Sequence, residues 1–297
     1  MNQSAFNGTG VALITPFKKE SIDFNALENI IEYVLKGGVD YIVSLGTTGE
    51  AITLSGQECR EVLAFTKNIV KGRVPLVAGL FGSNWTALLK QRIESYDLEG
   101  YQAIMSSSPA YNKPPQEGIY QHYMAIQEVS PLPIILYNVP GRTGSNMSAD
   151  TILRLANDSQ KFIAVKEASG NMAQIMHLLK YKPNHFKVIS GDDALTIPMM
   201  ACGAAGAISV IANALPSTFS QMTDLALHHL FPEAICLSNR MLDIHDWLYL
   251  EGNPVGIKGA MELMGLCSRE VRLPLVPLSK SVLAKLELEL KNAAFLS

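Results

Sequence analysis

Lys166 lies near the end of a short apolar run, Phe162-Ile-Ala-Val-Lys-Glu-Ala168, where an amine has no obvious surface to point at. Burial disfavours the ammonium form, so a lysine in such a run is either paired with a carboxylate or shifted toward the free amine. A free amine attacks carbonyls, which makes Lys166 a candidate covalent catalyst. Other groups suited to a small carbonyl compound recur along the chain. The turn Gly46-Thr-Thr-Gly-Glu50 carries two hydroxyls, Tyr137 a phenol, and Arg142 a guanidinium fork that matches a carboxylate. Each also has a plainer reading: Tyr137 as a core tyrosine bonded to a backbone carbonyl, the threonines as helix caps, Arg142 as half of a surface ion pair. Asp192 and Asp193 read better as caps than as metal ligands, because no histidine cluster accompanies them. The glycine turn lacks the lysine of a nucleotide phosphate loop, and no H-E-x-x-H occurs.

The body that holds these groups is bounded by composition. The chain has 297 residues, 48% of them hydrophobic and 17% charged, with a formal charge of −3 and no basic block. That describes a well-cored globular protein and removes the electrostatic basis for nucleic-acid binding, leaving small molecules as partners. Cys59, Cys202, Cys236 and Cys267 are far apart, which argues against disulfides and zinc. The charge-free stretch from Ala194 to Thr223 is long enough to raise a membrane span, but Pro198, Gly203, Gly206, Asn213 and Pro216 interrupt it; a buried helix and then a buried strand are expected. Met1 to Gly8 shows no basic segment followed by an apolar core, so a cytoplasmic location is expected.

Eight β-rich runs stand out: Val11–Phe17, Tyr41–Gly46, Val74–Leu80, Ala103–Pro109, Pro133–Val139, Phe162–Ala168, Lys187–Asp192 and Gly206–Ala212. A helix-length amphipathic segment fills each gap, the pattern of parallel βα units. Ser55-Gly-Gln-Glu58 matches a capping box, and Ser83-Asn84 and Ser148 are further candidate caps. The even count, and the absence of a G-x-G-x-x-G turn after the first strand, favour a closed (β/α)₈ barrel over an open doubly wound sheet. Residues 1–231 would form this barrel. Residues 232–297, with helical periodicity over Glu233–Leu250, Pro254–Met264 and Ser279–Ala294, would form a helical extension packed on it or an oligomerisation surface. In such a barrel catalysis sits at the C-terminal strand ends, where Lys166, Tyr137, Thr47, Thr48, Tyr111, Arg142, Gly191 and Ile208 all fall.

In this order and spacing, Gly46-Thr-Thr-Gly-Glu50, Tyr137-Asn-Val-Pro140 with Arg142-Thr-Gly144, Val165-Lys-Glu-Ala168 and Ser190-Gly-Asp-Asp193 resemble the dihydrodipicolinate synthase family, among the pyruvate-dependent class I aldolases and lyases. The resemblance runs from about Gly10 through Asn213, and Gly252-Asn-Pro254 and Arg272-Leu-Pro274 extend it. It implies that Lys166 forms a Schiff base with pyruvate, that Tyr137 shuttles protons, and that Thr48 and Tyr111 relay them. Thr47 would help hold the pyruvate carboxylate, and Arg142 that of L-aspartate 4-semialdehyde, while Gly191 and Ile208 would line the site with backbone carbonyls. No cofactor and no metal is implied. The resemblance further implies a homotetramer, a pair of dimers in which Tyr111 enters the neighbouring subunit's site. The implied product, 4-hydroxy-tetrahydrodipicolinate, is the committed entry to diaminopimelate and lysine.

The sequence departs from the family where lysine binds and inhibits many members. A histidine pair, a glutamate and a tyrosine of lysine-sensitive relatives are here Gly56, Cys59, Leu88 and Ala110, while Asn84 matches, so weak or absent lysine feedback is expected. Two other functions fit the same pyruvate machinery less well: an N-acetylneuraminate-lyase-like or sugar-acid aldolase, which usually lacks an arginine matching Arg142, and an inert ligand-binding paralogue.

Overall fold

Eight parallel strands close into a barrel in the computed structural model, which describes residues 6–80 and 84–296. They are β1 (Gly8–Ala12), β2 (Tyr41–Ser44), β3 (Leu76–Gly79), β4 (Ala103–Ser107), β5 (Ile134–Asn138), β6 (Phe162–Glu167), β7 (Lys187–Ser190) and β8 (Gly206–Ser209). Closure is made by β1, where Gly10 stands opposite Ile208 of β8 on one side and Tyr41 of β2 on the other. Helices follow each strand on the outside, among them Gly56–Val70, Ala149–Asp158 and Pro216–Leu227. This is the (β/α)₈ barrel expected from the alternation.

The first strand differs from its expected span. It starts at Gly8 and leaves the ladder after Ala12, because pairing needs backbone groups rather than apolar side chains, and Gly10 leaves room for the Tyr41 ring. Beyond it, Ile14 N–H donates to Asn213 Oδ1 at 3.1 Å, outside the ladder. Side chains alternate between two cores. Val43, Val77, Met105, Ile135, Tyr137, Ala164, Ile189 and Ile208 fill the barrel interior, while Ile42, Ile104, Leu136 and Val165 pack outward against the helices.

Both reciprocal bonds of the capping box at Ser55 and Glu58 form, and Ser148 caps the helix Ala149–Asp158. Of the other expected pair, Ser83 lies outside the described residues. Asn84 does not cap the helix Thr86–Ser95, whose N-cap is Trp85; its Oδ1 accepts instead from Ala110 N–H at 3.1 Å. The charge-free stretch forms the helix Thr196–Ala201 and then β8, and no described helix is long and apolar enough to cross a membrane.

Beyond the barrel, the helices Phe231–Tyr249, Val255–Leu263 and Lys280–Asn292 pack together. The segment between the last two returns to the barrel through Arg272, whose Nη1 and Nη2 donate to the Glu58 carboxylate at 2.9 and 2.5 Å. That fork holds the Glu58 carboxyl far below the usual carboxylate range, at about 2.

Candidate active site at the C-terminal barrel mouth

Strand register decides which side chains meet. Tyr137 of β5 stands opposite Lys166 of β6, and Asn138 opposite Glu167. Successive side chains alternate, so Tyr137 and Lys166 face into the barrel while Asn138 and Glu167 face out. The outward pair locks the strand ends. Asn138 Nδ2 donates to the two Glu167 carboxylate oxygens at 3.2 and 3.0 Å, Ser169 N–H donates to the same group at 2.8 Å, and Asn138 Oδ1 accepts from Met147 N–H at 2.9 Å. With both strand ends held, the inward pair has little freedom. Lys166 is 4% exposed, and its Nζ lies 4.8 Å from the centroid of the Tyr137 ring. Gly191 completes the fit: a Cβ there would lie 3.0 Å from Lys166 Cγ and Cε and 2.8 Å from Ala168 Cβ.

Burial lowers the Lys166 pKa from its ordinary 10.5 to about 8; Arg142 pushes the same way and the Asp193 carboxylate opposes both. At pH 7 such an amine is about one-tenth unprotonated, roughly 300-fold more than an unperturbed lysine. A lysine with this lowered pKa is protonated below about 8, so its reactivity is lost as pH falls through that value. Trapping of a small 2-oxo acid by borohydride is therefore expected to accelerate about tenfold from pH 6 to 7 and to level off above about 8. A rate still climbing tenfold per unit at pH 9 would overturn this. Burial raises the Tyr137 pKa, opposed by Arg142 and by a hydrogen bond with the Thr47 side chain, so the phenol carries its proton at neutral pH.

Lys166 and Tyr137 open onto a cavity of about 400 Å³ whose wall also includes Thr48, Arg142, Gly191, Tyr249 and Asn253. This size suits a small-molecule site. Arg142 stands on the one-turn helix Pro140–Thr143 and donates to the Asn253 carbonyl at 3.3 Å. Thr47 joins through Tyr137. Ile208 belongs to the barrel's interior cluster, and Val210, just past the end of β8, is in the cavity wall. Tyr111 is elsewhere: its side chain is 89% exposed, outside this cavity, on a backbone with φ of 69°. An aromatic residue in that left-handed region is strained.

The aspartates divide their work. Asp192 Oδ1 accepts from the N–H groups of Ala194 and Leu195, a capping role, whereas the buried Asp193 carboxylate accepts from Val210 and Ile211 N–H on the far side of β8. Among the described residues no group of three metal-type ligands converges.

Two wall residues escaped sequence reasoning. Tyr249 O–H donates to Asp193 Oδ2 at 3.4 Å, and burial together with Asp193 raises its pKa well above the ordinary phenol value. Asn253 Nδ2 donates to Thr48 Oγ1 at 3.0 Å, and its buried Oδ1 has no hydrogen-bond partner among the described residues. Both come from the C-terminal helical region, and no local pattern signals contact with partners 56 and 205 residues away along the chain.

Comparison with known proteins agrees with this geometry. The model of the dihydrodipicolinate synthetase family matches residues 5–293. A 4-hydroxy-tetrahydrodipicolinate synthase from Cytophaga hutchinsonii is 48% identical over 95% of each chain, and one from Flavobacterium psychrophilum 47% identical over 97% of this chain and 98% of its own. The structure of chloride-inhibited dihydrodipicolinate synthase from Acinetobacter baumannii, complexed with pyruvate, superposes with a TM-score of 0.94 at 38% identity, covering 98% of this chain and 99% of that one. With a (β/α)₈ barrel, a buried lysine beside a tyrosine at its mouth, and matches over nearly its whole length, the chain belongs to the dihydrodipicolinate synthetase family.

Proposed function

We propose that this chain catalyses the 4-hydroxy-tetrahydrodipicolinate synthase reaction, condensing pyruvate with L-aspartate 4-semialdehyde at the barrel mouth. The observation that carries this is Lys166, buried, with a pKa near 8, sharing one cavity with Tyr137 and Arg142. The free amine attacks the pyruvate ketone carbon, and loss of water leaves an iminium. Loss of a methyl proton gives an enamine, whose carbon attacks the aldehyde of the second substrate; the resulting alkoxide takes a proton through Tyr137. The amine of that substrate then displaces Lys166 from the imine carbon and closes the ring. One water is released overall and Lys166 returns as a free amine.

Arg142 selects the acceptor in this reading, since its fork binds a carboxylate while the aldehyde faces Lys166. In the same reading Thr48 and Tyr111 relay protons to Tyr137, Thr47 helps hold the pyruvate carboxylate, and Gly191 and Ile208 supply backbone carbonyls at the site. The test is pyruvate consumption with L-aspartate 4-semialdehyde against sugar-derived aldehydes. Faster turnover of a sugar aldehyde would replace the proposed acceptor.

A homotetramer, built as a pair of dimers in the cytoplasm, is part of the proposal. In support, Tyr111, Ile52 and Trp85 are 89%, 77% and 66% exposed, and Asn84 ties the Trp85 and Tyr111 loops together. Covering these groups with a second copy would carry Tyr111 toward a neighbouring site. Residues 1–231 act as the catalytic barrel and 232–297 as its extension.

Lysine is expected to inhibit weakly or not at all. Gly56 and Cys59 border a separate cavity of only about 80 Å³ whose charged lining group is Arg92, which repels an ammonium. A submillimolar inhibition constant for lysine would contradict this.

A further inference from the structure

The wall of the active-site cavity carries charges of both signs. Arg142 contributes the cation, and Asp192, Tyr249 and Asn253 line the same space. The proposed acceptor brings a carboxylate for the guanidinium. It also brings an α-amino group, an ammonium at neutral pH, which Arg142 repels. A cation drawn out of water needs oxygen acceptors already in place, or its desolvation goes uncompensated.

Tyr249 supplies such an oxygen. It ends the helix Phe231–Tyr249, lines the cavity and keeps 40% of its surface open. Its O–H donates to Asp193 Oδ2 at 3.4 Å, and that carboxylate is anchored in turn, accepting from Val210 N–H at 3.0 Å and from Ile211 N–H at 2.8 Å. A phenol has one proton; with that proton turned toward Asp193, the oxygen is left to accept. At 3.4 Å the bond is long for O–H···O, so the oxygen has slack to settle on a second partner. Asp193 and Asp192 both make the field at the phenol negative and raise its pKa, with Arg142 opposing them. A neutral phenol backed by two carboxylates suits a cation.

The guanidinium and the phenol are tied to one short segment. Gly252 N–H donates to the Tyr249 carbonyl at 3.0 Å, closing a turn, and Arg142 Nη2 donates to the carbonyl of the next residue, Asn253, at 3.3 Å. Arg142 therefore docks on the stretch of chain that carries Tyr249. We propose that Tyr249 is a specificity residue that accepts from the amine of the acceptor, so that Arg142 and Tyr249 together read the amino-acid end of L-aspartate 4-semialdehyde while its aldehyde faces Lys166. The inference rests on the proposed reaction and deepens it: the acceptor is selected as an α-amino acid, not as a carboxylated aldehyde alone.

Removing the phenol and removing the amine form a cycle that tests this. Tyr249→Phe keeps the ring, and Asp193 keeps both of its N–H partners. Succinate semialdehyde has the same carboxylate and aldehyde but no amine, and its inhibition constant is measured beside KM for L-aspartate 4-semialdehyde. In the variant that KM is expected to rise about tenfold, the scale of one hydrogen bond to a charged group, while the inhibition constant of succinate semialdehyde stays within about twofold. KM for pyruvate and borohydride trapping on Lys166 are expected to stay at wild-type values, which also reports a folded variant. Equal changes for both acceptors, no change for either, or loss of pyruvate trapping would each overturn the role of Tyr249. The wild type supplies a second measurement that needs no variant. L-Homoserine, which has the amine and the carboxylate but no aldehyde, is expected to compete about tenfold more strongly than 4-hydroxybutyrate, which lacks the amine. Equal competition would overturn recognition of the amine. Absence of turnover of L-aspartate 4-semialdehyde by the wild type would instead remove the proposed reaction, so the two failures are distinguishable.

Discussion

Replacing Lys166 by alanine is expected to lower kcat by about 10⁵ to 10⁶, the scale on which loss of a covalent nucleophile acts, and to end borohydride trapping of pyruvate. A second consequence follows from burial. Below pH 8 the folded protein holds the proton on a desolvated amine, where the unfolded chain keeps it in water. A lysine whose pKa drops from 10.5 to about 8 on folding lowers stability by roughly 3 kcal/mol below pH 8. The penalty is relieved as pH rises from about 8 to 10.5. Lys166→Met, which keeps the volume and removes the charge, is therefore expected to be inactive and yet more stable at pH 7, with Tm raised by several degrees. Thermal unfolding at pH 7 and at pH 10 checks this, the difference between variant and wild type shrinking at the higher pH. A variant with ordinary turnover would remove Lys166 from the chemistry. One destabilised equally at both pH values would show that the amine is not held against its solvation.

Tyr137→Phe is expected to cost roughly 10²- to 10³-fold in kcat, the usual contribution of a placed acid–base group. The ring remains, so packing in the barrel interior and beside Lys166 Nζ is preserved, and the folded state loses about 1 kcal/mol at most with the bond to Thr47. Pyruvate should still be trapped on Lys166, because attack by the amine needs no phenol, although more slowly where proton transfer limits dehydration. Single-turnover measurement of trapping beside steady-state kcat separates these steps. A kcat within threefold of wild type would place the proton shuttle on another group, and Tyr249, on the same cavity wall, would be the next to replace.

Much of the fold was legible because its signals are local. The apolar runs, their spacing and the Ser55 capping box depend on residues a few positions apart, and the same runs placed Tyr137 and Lys166 at C-terminal strand ends, although only the register of β5 and β6 sets them opposite one another. The first strand was misplaced because hydrophobicity, the cue used, is not what Gly8-Thr-Gly10 contributes; its backbone pairs while Gly10 makes room for Tyr41. The Asn84 cap failed because the oxygen that would have served the helix is taken by Ala110.

Residue types and order by themselves determined the barrel, the amine on its sixth strand and the chemistry that amine invites, since periodicity and apolar context are written in consecutive residues. Only the tertiary structure decided how far the Lys166 pKa falls, because that depends on the water excluded and on Arg142 and Asp193 arriving from the segments that follow β5 and β7. Likewise only the folded chain brings Asn253 to Thr48 and Lys258 to Glu50 across more than 200 residues, contacts made by packing of the C-terminal helices that no spacing in the sequence encodes.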